Sequence, residues 1–138
     1  MLAKDLISDV IPAVRTSDTG REALSMMDIF KVSHLAIVNH EEFLGLISDT
    51  DIYDSNMVEE PLGNHPLSLT STFVYSDSHI YEAIGVIQQG KLTLLPVLGH
   101  DNVFLGSIAL PDLLQYFANI TAVDNPGGII ILEMALHD

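Results

Sequence analysis

Apolar residues recur along this chain with two periods, and both halves alternate the periods in the same order. In the segment TSDTGREALSMMDIFKVSHLAIV, from Thr16, residues Ala23, Met26, Met27 and Phe30 stand at i, i+3, i+4 and i+7, one face of a helix. In SDSHIYEAIGVIQQGKLTLLPVL, from Ser76, residues Ile80, Ala83, Ile84 and Ile87 repeat that spacing. The pattern predicts helices over about residues 19–31 and 79–90. Thr19 followed by Glu22 predicts a capping box for the first helix, and Asp77 or Ser78 is expected to cap the second. Each helix leads into a short apolar run, Leu35 to Val38 and Leu94 to Leu98. A polar turn follows, Asn39-His40-Glu41-Glu42 or Gly99-His100-Asp101-Asn102, and then a second apolar run, Phe43 to Ile47 or Val103 to Ile108. Two runs joined by a short polar turn predict a hairpin. A second helix closes each half, beginning near Asp49 and at Pro111, a favoured first-turn residue.

The two halves therefore form an internal repeat of α/β class, each copy β-α-β-β-α, with pseudo-two-fold packing expected. Glu22-Ala23 falls on Glu82-Ala83, Lys31 on Lys91 and Leu35 on Leu95. After one extra residue in the second half, Phe43-Leu44-Gly45 falls on Phe104-Leu105-Gly106, Ile47 on Ile108 and Asp51 on Asp112. The expected division is a first repeat with its N-terminal segment over 1–58, a linker over 59–66, a second repeat over 67–120 and a tail over 121–138. Pro61, Gly63, Asn64 and Pro66 mark the linker. In the tail, the break Asp124 to Gly128 precedes the apolar run Ile129 to Leu136, which reads as a strand. A lone strand is a liability at a sheet edge. The expectation is a chain cut from a longer protein, with pairing of the tail to a second subunit as the alternative.

Composition narrows the partners. The formal net charge is -14, from 19 acidic and 5 basic residues, which disfavours nucleic acid and anionic membranes. The chain has no cysteine, which excludes disulfides and thiolate chemistry. The N-terminus does not read as a signal peptide, and no apolar run approaches the ~18 residues of a membrane span. A cytoplasmic location is expected. The six histidines are scattered, with no His-x-x-x-His pair on a helix, so a metal site is not expected. Glu41-Glu42 and Glu59-Glu60 read as solvated acidic turns. There is no nucleophile elbow, P-loop or dinucleotide fingerprint, and the expectation is a protein that is not an enzyme.

The order of elements, with Gly45-Leu46-Ile47-Ser48-Asp49-Thr50-Asp51, resembles the CBS family, named after cystathionine beta-synthase. Members carry two copies packed into one disc-like Bateman module, and the resemblance covers about residues 1–120. It implies a regulatory module that binds an adenosyl ligand (AMP, adenosine or S-adenosylmethionine) and needs no cofactor. Ser48 would help hold a phosphate or ribose oxygen, and Asp51 the ribose hydroxyls. Leu46, Ser71, Thr72, Thr93 and Leu94, with Leu92, would complete that pocket. A second, weaker pocket would use Asp112 and Ser107, walled by Pro12, Ser33 and His34. Ala109 stands there where the hydroxyl should be. Thr50, Pro111, Ser33 and Leu94 occupy positions where family members that bind ATP or ADP place Arg or Lys, which favours AMP, adenosine or S-adenosylmethionine. The resemblance also implies a homodimer and an effector domain or partner of unknown kind; some members continue into an ACT-like domain. Ser48 and Asp51 equally form a Ser-x-x-Asp capping box, which accounts for them without a ligand. A structural dimerisation module with empty pockets is the alternative.

Overall fold

Two three-stranded sheets, one from each half of the chain, carry the fold. The computed structural model describes residues 1–56, 58–64 and 69–124, with backbone alone for 121–124. The first half runs β1 (Val14–Arg15), α1 (Gly20–Phe30), β2 (His34–Asn39), β3 (Glu42–Ser48) and α2 (Asp49–Asp54). The second runs β4 (Val74–Tyr75), α3 (Ile80–Gly90), β5 (Leu94–Leu98), β6 (Phe104–Ala109) and α4 (Leu110–Asp124). Each half is thus β-α-β-β-α, as its periodicity predicts. β1 joins β2 in parallel and β2 joins β3 antiparallel; β4, β5 and β6 repeat this order.

The registers superpose the aligned residues. Ile37 faces Gly45 and Val38 faces Phe43; Val97 faces Gly106 and Leu98 faces Phe104. Both ladders shift register at the same step, Ile37/Val38 and Val97/Leu98. The extra residue of the second half lies in its turn, where the Gly99 N–H donates to the Val103 carbonyl and Asn102 takes φ 66°. Lys31 and Lys91, matched in sequence, both end their helices in the left-handed conformation, at φ 60° and 52°.

The helices bury the faces the spacing assigns to them. Ala23 and Met27 of α1, and Ile80, Ala83, Ile84 and Ile87 of α3, join one core with the wholly apolar centres of β2 and β5. Thr19 caps α1, its hydroxyl accepting from the Glu22 N–H at 3.2 Å. The cap of α3 differs from expectation: His79, not Asp77 or Ser78, takes that place, and its Nδ1 accepts from the Tyr81 N–H at 3.1 Å. The helix begins where its core residue Ile80 enters the sheet interface, which leaves His79 at the cap. Asp77 instead meets His100, at 2.7 Å.

The two ends that flank the first repeat cross over. Residues 1–4 bond to the second repeat: Ala3 and Lys4 N–H donate to the Ser78 and Ser76 carbonyls, and Ile80 N–H to the Met1 carbonyl. Residues 60–63 make the same bonds to the first repeat, from Leu62 and Gly63 N–H to Asp18 and Thr16, and from Gly20 N–H to Glu60. Ala3 and Leu62, at equivalent positions, are both 0% exposed. Residues 60–63, within the stretch expected as a linker, are therefore stitched to the start of the first repeat, and an Arg21–Glu59 ion pair joins α1 there. Among the described residues no helix is long and apolar enough to cross a membrane. The expected tail strand lies outside the described residues.

Candidate ligand-binding site

β3 delivers Ser48 to the start of α2. The Ser48 hydroxyl accepts from the Asp51 N–H at 3.1 Å, and Oδ2 of Asp51 accepts from the Ser48 N–H at 3.2 Å. This reciprocal cap satisfies two of the N–H groups that a helix start leaves open. Both residues are half-buried. The other carboxylate oxygen of Asp51, Oδ1, accepts no hydrogen bond among the described residues. Leu46, buried two residues earlier, donates its N–H to the Leu69 carbonyl and so fastens the lead of the second repeat beside β3. Ser71 and Thr72 follow in that lead. With Phe73 and with Val86, Gln89 and Gly90 of α3 they line a cleft of about 240 Å³, and Ser48 and Asp51 are not among its lining residues.

The repeats meet through polar side chains at one point. Thr93, just before β5, places its Oγ1 2.8 Å from the Ser33 N–H, 3.3 Å from the Ser33 hydroxyl and 2.8 Å from Nδ1 of His34. The Thr93 N–H donates to the same Nδ1 at 3.2 Å. Thr93, expected beside Ser48, is thus bonded directly to Ser33 and His34, expected in the second pocket. Burial holds the pKa of His34 below the ordinary imidazole value; the nearby carboxylates of Asp49 and Asp51 oppose this.

Known proteins share this architecture. Residues 3–56 match the family described as the CBS domain. A CBS domain pair/ACT domain protein from Thermotoga maritima superposes with a TM-score of 0.74 at 23% identity, covering 87% of this chain and 98% of that one. The chain folds as a CBS domain pair. A structure of CBSX2 in complex with AMP aligns at TM-score 0.70 and 18% identity, covering 86% of this chain and 97% of that one. The cytosolic domain of the Mg2+ channel MgtE in complex with ATP aligns at 0.65 and 18%, covering 83% and 48%. In sequence, the pair is 27% identical over 113 residues to inosine-5'-monophosphate dehydrogenase of Methanocaldococcus jannaschii. That match takes in 80% of the pair and 22% of the enzyme, so the pair spans about a fifth of this relative.

The remaining expected residues divide by burial. Leu94 is fully buried in β5, opposite Ala109 of β6. Ser107 is 3% exposed; its carbonyl accepts from the Ser8 N–H, and its hydroxyl has no partner among the described residues. Pro12 and Asp112 are exposed, Asp112 in the first turn of α4. The helical side of the molecule also holds two equivalent clefts, of about 300 and 340 Å³, in which Lys31 matches Lys91, Met27 matches Ile87 and Tyr53 matches Leu114.

Sequence reasoning named Ser33, His34 and Thr93 but missed that they meet. One signal was available: the repeat alignment sets His34 against Leu94, a polar residue at an otherwise apolar strand position. It also missed a row of rings that joins the halves near the hairpin turns. Phe43 packs edge-on to Phe73, Phe73 to Tyr75, and Tyr75 stacks on His100.

Proposed function

We propose that this CBS pair is a regulatory module, not itself catalytic, that binds an adenosyl ligand such as AMP, adenosine or S-adenosylmethionine between its repeats. The observation that carries the reading is the open Oδ1 of Asp51, on a half-buried carboxylate already anchored through Oδ2. Such an oxygen can accept a ribose hydroxyl, and a charged acceptor makes the stronger bond. The AMP and ATP complexes among proteins of the same fold support the ligand class. AMP is favoured over ATP because cations are few and mostly engaged. Of the five, Arg15 stands by Asp18, Arg21 by Glu59 and Lys31 by Asp28. A bound ligand would favour one orientation of the repeats, read by a following domain or a partner, provided it binds the two orientations with different affinity.

The alternative is a structural dimerisation module with empty pockets. The engagement of the Thr93 hydroxyl by Ser33 and His34, and the absence of a hydroxyl at Ala109, favour it. Isothermal titration decides between the readings. AMP is expected to bind at least as tightly as ATP. Asp51→Ala should weaken binding by about one to two decades, the loss of one charged hydrogen bond at roughly 1.5–3 kcal/mol. Asp112→Ala should cost much less. Absence of heat with every adenosyl compound would establish the structural reading, and tighter binding of ATP would refute the cation argument.

A further inference from the structure

The hydrogen bonds among Ser33, His34 and Thr93 admit one arrangement of protons. The Thr93 N–H points at Nδ1 of His34, 3.2 Å away, so that nitrogen must present a lone pair. The Thr93 hydroxyl, 2.8 Å from the same nitrogen, then donates to it as well. Its oxygen accepts in turn from the Ser33 N–H and the Ser33 hydroxyl. All four contacts are satisfied only by a neutral imidazole carrying its proton on Nε2.

We propose that His34 is a proton-operated latch on the Thr93 amide, between the two repeats: neutral, its Nδ1 holds both the amide N–H and the hydroxyl of Thr93, and protonated on Nδ1 it lets the amide go. A proton on Nδ1 converts the acceptor into a donor facing the Thr93 N–H, and among the described residues that amide has no other acceptor. The hydroxyl of Thr93 must also reverse, because its oxygen would then meet three donors. Three elements stand around the ring. β3 presents Ser48, the lead of β5 presents Thr93, and α2 presents the carboxylates of Asp49 and Asp51. These two carboxylates are the charged groups that act on His34, and both favour the imidazolium. The imidazolium is thus favoured by both charges and opposed by burial. The latch rests on side-chain geometry and does not depend on the nucleotide reading.

Nuclear magnetic resonance of the whole chain, without nucleotide, tests it between about pH 8 and pH 5, the range in which histidine switches act. The His34 ring signals should titrate with a midpoint below 6.5. The Thr93 amide should shift with the same midpoint, and its exchange protection, corrected for intrinsic rates, should fall about tenfold, as for one lost hydrogen bond. In His34→Gln the Thr93 amide should show no such step. Titration of His34 with a stationary Thr93 amide would overturn the latch, as would a step that survives in His34→Gln. If that variant does not fold, the wild-type titration decides alone.

Discussion

Ser48 and Asp51 cap α2 through the Ser48 hydroxyl and Asp51 Oδ2, leaving Oδ1 for the proposed ligand, and this bounds what a short motif can say. Their reciprocal cap is local, three residues apart, and was legible in the sequence for that reason. The open Oδ1 was not legible, because it depends on what the rest of the fold places nearby. The bonds between His34 and Thr93 span 59 residues and follow from the docking of the repeats, which periodicity does not encode. His34 also gives stability a pH dependence of known sign. Burial lowers its folded pKa below the unfolded 6.5, so between the two values the unfolded chain binds more protons. The contribution of His34 is complete above 6.5 and is lost as pH falls through 6.5 toward the folded value. Urea midpoints of the wild type should therefore fall more steeply than those of His34→Gln on the acid side. Parallel curves would mean that His34 does not titrate differently in the two states.

At the level of elements, the alternation of helix and hairpin was readable because each copy repeats it and each apolar run faces one core. The α3 cap was misread because Asp and Ser are the commoner capping residues, whereas the start of the helix is fixed by where Ile80 is buried. Two glycines show how differently one residue type can act within an element. Gly85 lies inside α3, and an added Cβ would meet nothing within 4 Å. Gly85→Ala should raise stability by about 0.5–1 kcal/mol, the usual gain for a helix interior. Gly106 in β6 has φ +152°, and a Cβ there would collide with Cγ2 of Ile7. Gly106→Ala should cost about 1–3 kcal/mol, as overpacking does, and loosen the N-terminal segment as well. Thermal melts of the two variants should move in opposite directions; a shared direction would contradict the packing around one of them.

On the scale of the whole molecule, the helical side carries two equivalent clefts, and Ile29, Tyr53 and Leu114 are exposed there or beside them. We expect this side to be covered by a second copy, so light scattering should report about twice the 15.1 kDa chain mass. A monomer persisting at high concentration would contradict it. The crossing of residues 1–4 and 60–63 bears on something else, the descent of the molecule. Each repeat is completed by the lead segment of the other, through matched bonds. A polypeptide of one repeat and one lead could reach this form only by exchanging leads with an identical copy. Duplication and fusion of its gene would then have joined two partners without changing their contacts, after which the halves were free to differ, as Ser48 and Ala109 do. Residues 1–58 expressed alone should accordingly form exchanged dimers, and a folded monomer of that length would argue against such an ancestor.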